Sequence, residues 1–161
     1  MSILAKVTPA PKARSENVIK ISIFYAGILT VFIVTQLFTF DAFIELIPSY
    51  NLPVSETLAY ALAPIIVASE LFALPFLLRM NLSVAFRWVS MVLGWLVPVL
   101  WLLISAWVVM TQPAVESIGF LGTLVELVPG WWAVLVSFAL GILAAWSAWG
   151  LWPGRRLKAK K

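Results

Sequence analysis

TLAYALAPIIVASELFALPFLL, residues Thr57–Leu78, contains a single charged side chain, Glu70. A helix rising about 1.5 Å per residue needs roughly 20 residues to cross a hydrocarbon core of about 30 Å. The run is long enough to cross, and it has no polar face to turn toward water. Three further runs share this character, at about Val18–Phe40, Val84–Met110 and Trp131–Trp152. Together they predict an all-α, integral membrane four-helix bundle. The first run is read as a true span rather than a cleavable signal, because it is longer than a signal's apolar region and no small-residue cleavage site follows it.

The composition agrees. Of 161 residues, 63% are hydrophobic and 11% charged, whereas soluble domains carry about 25% charged residues. So little polar surface excludes an ordinary soluble domain, and so much apolar surface excludes disorder. The chain has no Cys and no His. It therefore has no thiolate for exchange or metal binding and no imidazole base, and no metal site is expected. Phosphate-cradling glycine loops and nucleophile triads are missing too, which argues against an enzyme.

The net charge of +4 suggests nucleic acid until the charges are placed along the chain. Lys6, Lys12, Arg14 and Lys20 precede or open the first span. Arg79 and Arg87 flank the second turn, and Arg155, Arg156, Lys158, Lys160 and Lys161 follow the last span. All eleven lie on one side of a four-span topology. The opposite loops hold Asp41, Glu45, Glu56, Glu116 and Glu126. The positive-inside rule then puts both termini in the cytoplasm, in the inner membrane if the cell is prokaryotic. Residues 1–17 read as a flexible cytoplasmic arm, 18–152 as the membrane domain, and 153–161 as a basic cytoplasmic tail held by anionic headgroups. The expected partners are the bilayer and a membrane or exported protein, not nucleic acid. Trp131, Trp132, Trp149 and Trp152 suit an interfacial belt.

Between the spans, Phe40, Phe43, Ile44 and Ile47 recur at helical spacing, with Asp41 and Glu45 opposite them. This predicts a short amphipathic helix in the outer interface. Ser55 and Ser83 are placed to cap the second and third spans. The outer loop from Thr111 to Gly130 is too apolar to hang in water. It is expected to fold over the bundle, with a short helix at its Glu126 end. Ser137, Gly141, Ala144, Ala145 and Ala148 form a small-residue stripe suited to helix packing.

Glu70 is the candidate buried acid. A charge at that depth costs at least about 2.5–3.5 kcal/mol. A carboxyl proton, or an interior position beside a donor, lowers the cost. The candidate polar neighbours are Gln36, Thr35, Ser69 and Ser105. Pro64, Pro75 and Pro98 release the carbonyls of Tyr60, Leu71 and Gly94, and the Leu71 carbonyl is a further candidate partner for the acid.

Several stretches resemble the MauE family of methylamine-utilisation membrane proteins and the related DoxX-type four-helix proteins. They are Gly27, Phe43, Tyr50-Asn51-Leu52-Pro53, Ala68-Ser69-Glu70-Leu71, Ser117-Ile118-Gly119-Phe120-Leu121-Gly122, and Trp131-Trp132. The resemblance covers most of residues 20–150. It implies a role in maturation of methylamine dehydrogenase, through disulfide or redox handling outside the membrane, on a scaffold similar to quinone-linked thiol oxidoreductases. Ile118 and Phe120 stand where the family carries cysteines, and a family lysine has no counterpart near Gln36 and Leu37. The resemblance thus implies a member that kept the scaffold without the thiol chemistry. The leading expectation is a non-catalytic accessory protein with Phe43, Tyr50, Phe120 and Leu121 as candidate partner-docking residues. The alternatives are a quinone-linked oxidoreductase subunit, or a small lipophile binder or transporter, each using Glu70.

Overall fold

The computed structural model describes residues 7–152. In chain order they form β1 (Val7–Thr8), α1 (Glu16–Phe38), α2 (Phe40–Leu46), a 3-10 turn at Pro48–Tyr50, α3 (Glu56–Leu77), β2 (Leu82–Ser83), α4 (Val84–Thr111) and α5 (Trp131–Gly150). The four long helices make an up-and-down bundle. Both α1 and α4 pack against α3 and α5, so the bundle closes into a ring. Each long helix is long and apolar enough to cross a membrane, and its ends fall within two residues of the expected span. The protein is an all-α, multi-pass membrane protein. Phe24, Leu103 and Leu135 are more than 60% exposed, a display that suits lipid rather than water.

The helix starts follow local chemistry. The hydroxyls of Ser15, Ser55 and Ser83 accept the backbone N–H groups of Val18, Leu58 and Phe86, as serine does at a helix start. The α2 helix buries Phe43, tucks Ile44 partly in, and leaves Asp41 and Glu45 exposed, matching the amphipathic pattern.

Side chains from neighbouring helices bond backbone groups at or beside two of the prolines. The Gly94 carbonyl, released by Pro98, accepts the Tyr25 hydroxyl at 2.8 Å. Beside Pro75, the Ser90 hydroxyl accepts the Phe76 N–H at 3.0 Å and donates to the Phe72 carbonyl. One α4 side chain thereby bridges the Phe72 carbonyl and the Phe76 N–H of α3 beside the proline, in a region where hydrocarbon offers no partner.

Two expectations need correction. Residues 7–15 are not a free part of the arm. β1 pairs antiparallel with β2, Arg87 donates to the carbonyls of Thr8 (2.8 Å) and Pro9 (3.0 Å), and the Arg14 N–H meets the Gly150 carbonyl at 3.2 Å. The cause is Arg87, a buried guanidinium whose donors require acceptors. Glu16 is the one carboxylate at this end, so backbone carbonyls serve instead. The second correction is at Glu126, where no helix forms. Ser117 and Ile118 take the Val125 carbonyl and the Leu127 N–H and carbonyl instead. The basic tail at 153–161 lies outside the described residues.

Gly150 is where the ring closes, since a Cβ there would collide with the side chain of Val18. Gly27 is the opposite case, with nothing within 4 Å of an added Cβ. Gly150→Val is therefore expected to lower the melting temperature in detergent sharply. Gly27→Ala should leave it unchanged or raise it, by up to about 1 kcal/mol of helix propensity. Thermal scans of the two variants check this.

Candidate functional site

The loop from Gln112 to Gly130 forms a cap over the end of the bundle opposite the arginines. Two glycines shape it. Gly119 has φ +79°, and an added Cβ would meet the Tyr50 hydroxyl at 2.9 Å. Gly122 has φ +59°, and an added Cβ would collide with the Thr39 hydroxyl and crowd the Thr35 carbonyl (3.0 Å) and the Gln36 Cα (3.1 Å). A side chain at either position would be strained as well as crowded. Ser117 organises the rest. Its hydroxyl accepts the N–H groups of Gly119 and Leu127, and its carbonyl accepts the Tyr50 hydroxyl at 3.2 Å. Burial raises the Tyr50 phenol above its ordinary range, so it remains a donor.

Between these glycines, Phe120 enters the bundle. Its ring lies 4.7 Å from Trp101, 5.6 Å from Phe32 and 5.9 Å from Trp132. Its carbonyl accepts the Gln36 side-chain N–H at 3.0 Å. The same Gln36 nitrogen approaches Glu70 Oε1 at 3.4 Å, and the Trp101 indole N–H donates to that oxygen at 3.2 Å. Glu70 and Gln36 are fully buried. A continuous polar chain thus runs from the acid in α3, through Gln36 in α1, to the backbone of the cap.

Gln36 alone among the four expected neighbours is brought to Glu70. Gln36 starts near the end of α1, yet two long side chains close the gap in depth. Thr35 bonds the Val31 and Phe32 carbonyls of its own helix, and Ser69 bonds the Ile65 carbonyl of its own. Ser105 pairs with Ser137 at 3.3 Å, tying α4 to α5 elsewhere. The Leu71 carbonyl is not among the acid's hydrogen-bond partners in the described residues. Sequence reasoning missed Trp101. Its signal was position, a tryptophan in the middle of a span rather than at the interface.

The docking expectation is corrected as well. Phe43 and Tyr50 are fully buried and Phe120 is 2% exposed, because all three pack the cap onto the helices. Leu121 is half-buried. Within and just after the cap, Leu124, Val125, Val128 and Trp131 are exposed apolar residues, and Phe38 and Met110 at the neighbouring helix ends are exposed as well. Beside them opens a cleft of about 420 Å³ lined by Val108, Gln112, Pro113 and Val128.

Chemically, one carboxyl oxygen of Glu70 accepts two N–H groups. Its Oε2 and the Gln36 Oε1 have no partner among the described residues. No group of three or more Asp or Glu residues suited to a metal occurs among the described residues. No family model, curated protein or solved structure matches this chain.

Gln36→Leu removes the donor to both Glu70 and the Phe120 carbonyl. It is expected to cost about 1–3 kcal/mol and to speed protease cleavage within residues 112–130. Glu70→Gln keeps an oxygen for the Trp101 N–H and should cost less. Limited proteolysis alongside thermal melts in detergent measures both.

Proposed function

We propose that this protein is a non-catalytic accessory of the inner (cytoplasmic) membrane, with both termini cytoplasmic, that serves an exported or membrane protein. The observation that carries this reading is the polar chain from Glu70 through Gln36 to Phe120. It spends the one buried acid of the spans on holding the cap in place. The cap then offers a preformed apolar rim at Leu124, Val125, Val128 and Trp131, flanked by Glu116 and Glu126. The orientation rests on the charge asymmetry, with every Lys and Arg among the described residues at the opposite end. The resemblance to the MauE family supports a role in maturation or redox handling of that partner, within methylamine metabolism. A chain without cysteine would leave the thiol chemistry to the partner.

A second reading is favoured by two buried oxygens on adjoining side chains, Glu70 Oε2 and Gln36 Oε1, that have no partner among the described residues. In it, Glu70 carries protons for a quinone-linked oxidoreductase subunit or meets a small lipophile, and the cap is a lid.

A photo-crosslinking residue at Val128, with a control at Leu103 on the lipid face, tests the first reading. Gentle purification from the native membrane and mass spectrometry of proteins and small molecules follow. The accessory reading expects one stoichiometric partner captured through Val128 and not Leu103, with Glu70→Gln leaving the yield within about twofold. A bound quinone that disappears in Glu70→Gln, with no partner at Val128, overturns it in favour of the second.

A further inference from the structure

An apolar groove runs down the lipid-exposed seam between α4 and α5. Its mid-span part holds about 290 Å³ between Pro98 and Val99 on one side and Gly141, Ile142 and Ala145 on the other. Ile142 and Ala145 also line a second recess, of about 420 Å³, that continues to Trp146 and Trp149. The second recess is lined by α5 alone, and through Ile142 and Ala145 the apolar trough continues along α5 from mid-span toward the basic end. Gly141 keeps it open, since an added Cβ would meet only Pro98, at 4.0 Å.

The trough ends at a cation. The guanidinium of Arg14 lies over the Trp149 ring, 3.9 Å from its centre. Arg14 makes no ion pair among the described residues, and of the seven carboxylates only Glu16 belongs to this end of the bundle. The ring holds the guanidinium in place without neutralising it.

In a membrane-spanning chain such a trough does not stay empty, because a void forfeits the dispersion contacts of everything that lines it. Hydrocarbon fits the walls, and an anion fits the end. We propose that one anionic phospholipid binds here, an acyl chain in the α4–α5 trough and its phosphate on Arg14. The main competitor is a second copy of α5, since Ser137, Gly141 and Ala145 have the small-residue spacing of helix pairs. Two copies related by an axis along the membrane normal would bring their Arg14 side chains to the same level on one face. The like charges oppose that pairing, whereas a phosphate gains from them.

Native mass spectrometry of the full chain in mild detergent tests this, with phosphatidylglycerol and phosphatidylcholine of identical acyl chains as probes. One phosphatidylglycerol is expected to be retained in preference to phosphatidylcholine. Arg14→Gln should weaken phosphatidylglycerol about fivefold and leave phosphatidylcholine unchanged. Gly141→Leu, which fills the trough, should weaken both. Equal retention of the two lipids overturns the proposal. So does unchanged phosphatidylglycerol binding in either variant: in Arg14→Gln it moves the headgroup to another basic site, and in Gly141→Leu it moves the acyl chain out of the trough. A dimer that retains no lipid and dissociates in Gly141→Leu assigns the trough to a second copy.

Discussion

Everything in this fold answers to one constraint: inside a bilayer, a polar group finds its partner in the protein or goes without. The bundle meets it with side chains that reach across helices. Tyr25 on α1 serves a carbonyl of α4, and Ser90 on α4 serves the Phe72 carbonyl and the Phe76 N–H of α3. Glu70 is met by Gln36 from α1 and Trp101 from α4. Each contact joins two helices, so the groups that are costliest to bury also specify which helix lies beside which. The apolar residues around them tolerate exchange more readily, because one hydrocarbon contact in lipid resembles another.

The spans, their number and the charge asymmetry were legible because each depends on a local average over many residues. Ser55 and Ser83 were legible because a cap needs only a hydroxyl at the right offset. What escaped was long-range. Trp101 reaches Glu70 across 31 residues, and Gln36 reaches Phe120 across 84. No periodicity encodes such pairings. Phe43, Tyr50 and Phe120 illustrate the limit in another way. Aromatic residues in connecting segments were read as surface features, yet the glycines at 119 and 122 bend the cap so that Phe120 points inward and the cap covers Phe43 and Tyr50. The arm misled for a related reason. Pro9, Pro11 and scattered charges suggest freedom, but a buried Arg87 recruits the carbonyls next to those prolines.

The two ends of the molecule are built on different terms. At the basic end, a strand pairing and the Arg87 guanidinium pin residues 7–9 to the α3–α4 connection, and Arg14 meets the end of α5. At the opposite end, a loop without regular structure is held by tight glycine turns, one serine hub and an aromatic plug. The first arrangement is electrostatic and backbone-based. The second depends on close packing, so it tolerates change in its exposed rim but little at Gly119, Gly122 or Phe120.

The contact of Gly150 with Val18 bears on how the protein is made. These residues are the last of α5 and nearly the first of α1, so the wall between them is assembled only after all four spans have been made. Until then, a nascent chain with three helices in the membrane leaves one side of α1 facing lipid or the insertion machinery. Ser22 lies on that helix, buried in the finished bundle, its hydroxyl turned back to the Ile19 carbonyl. This self-satisfied serine lets α1 wait in hydrocarbon without an unmet donor. The final helix then arrives as a closing stave, and a chain cut short before residue 131 would present the membrane's proteases with an open bundle.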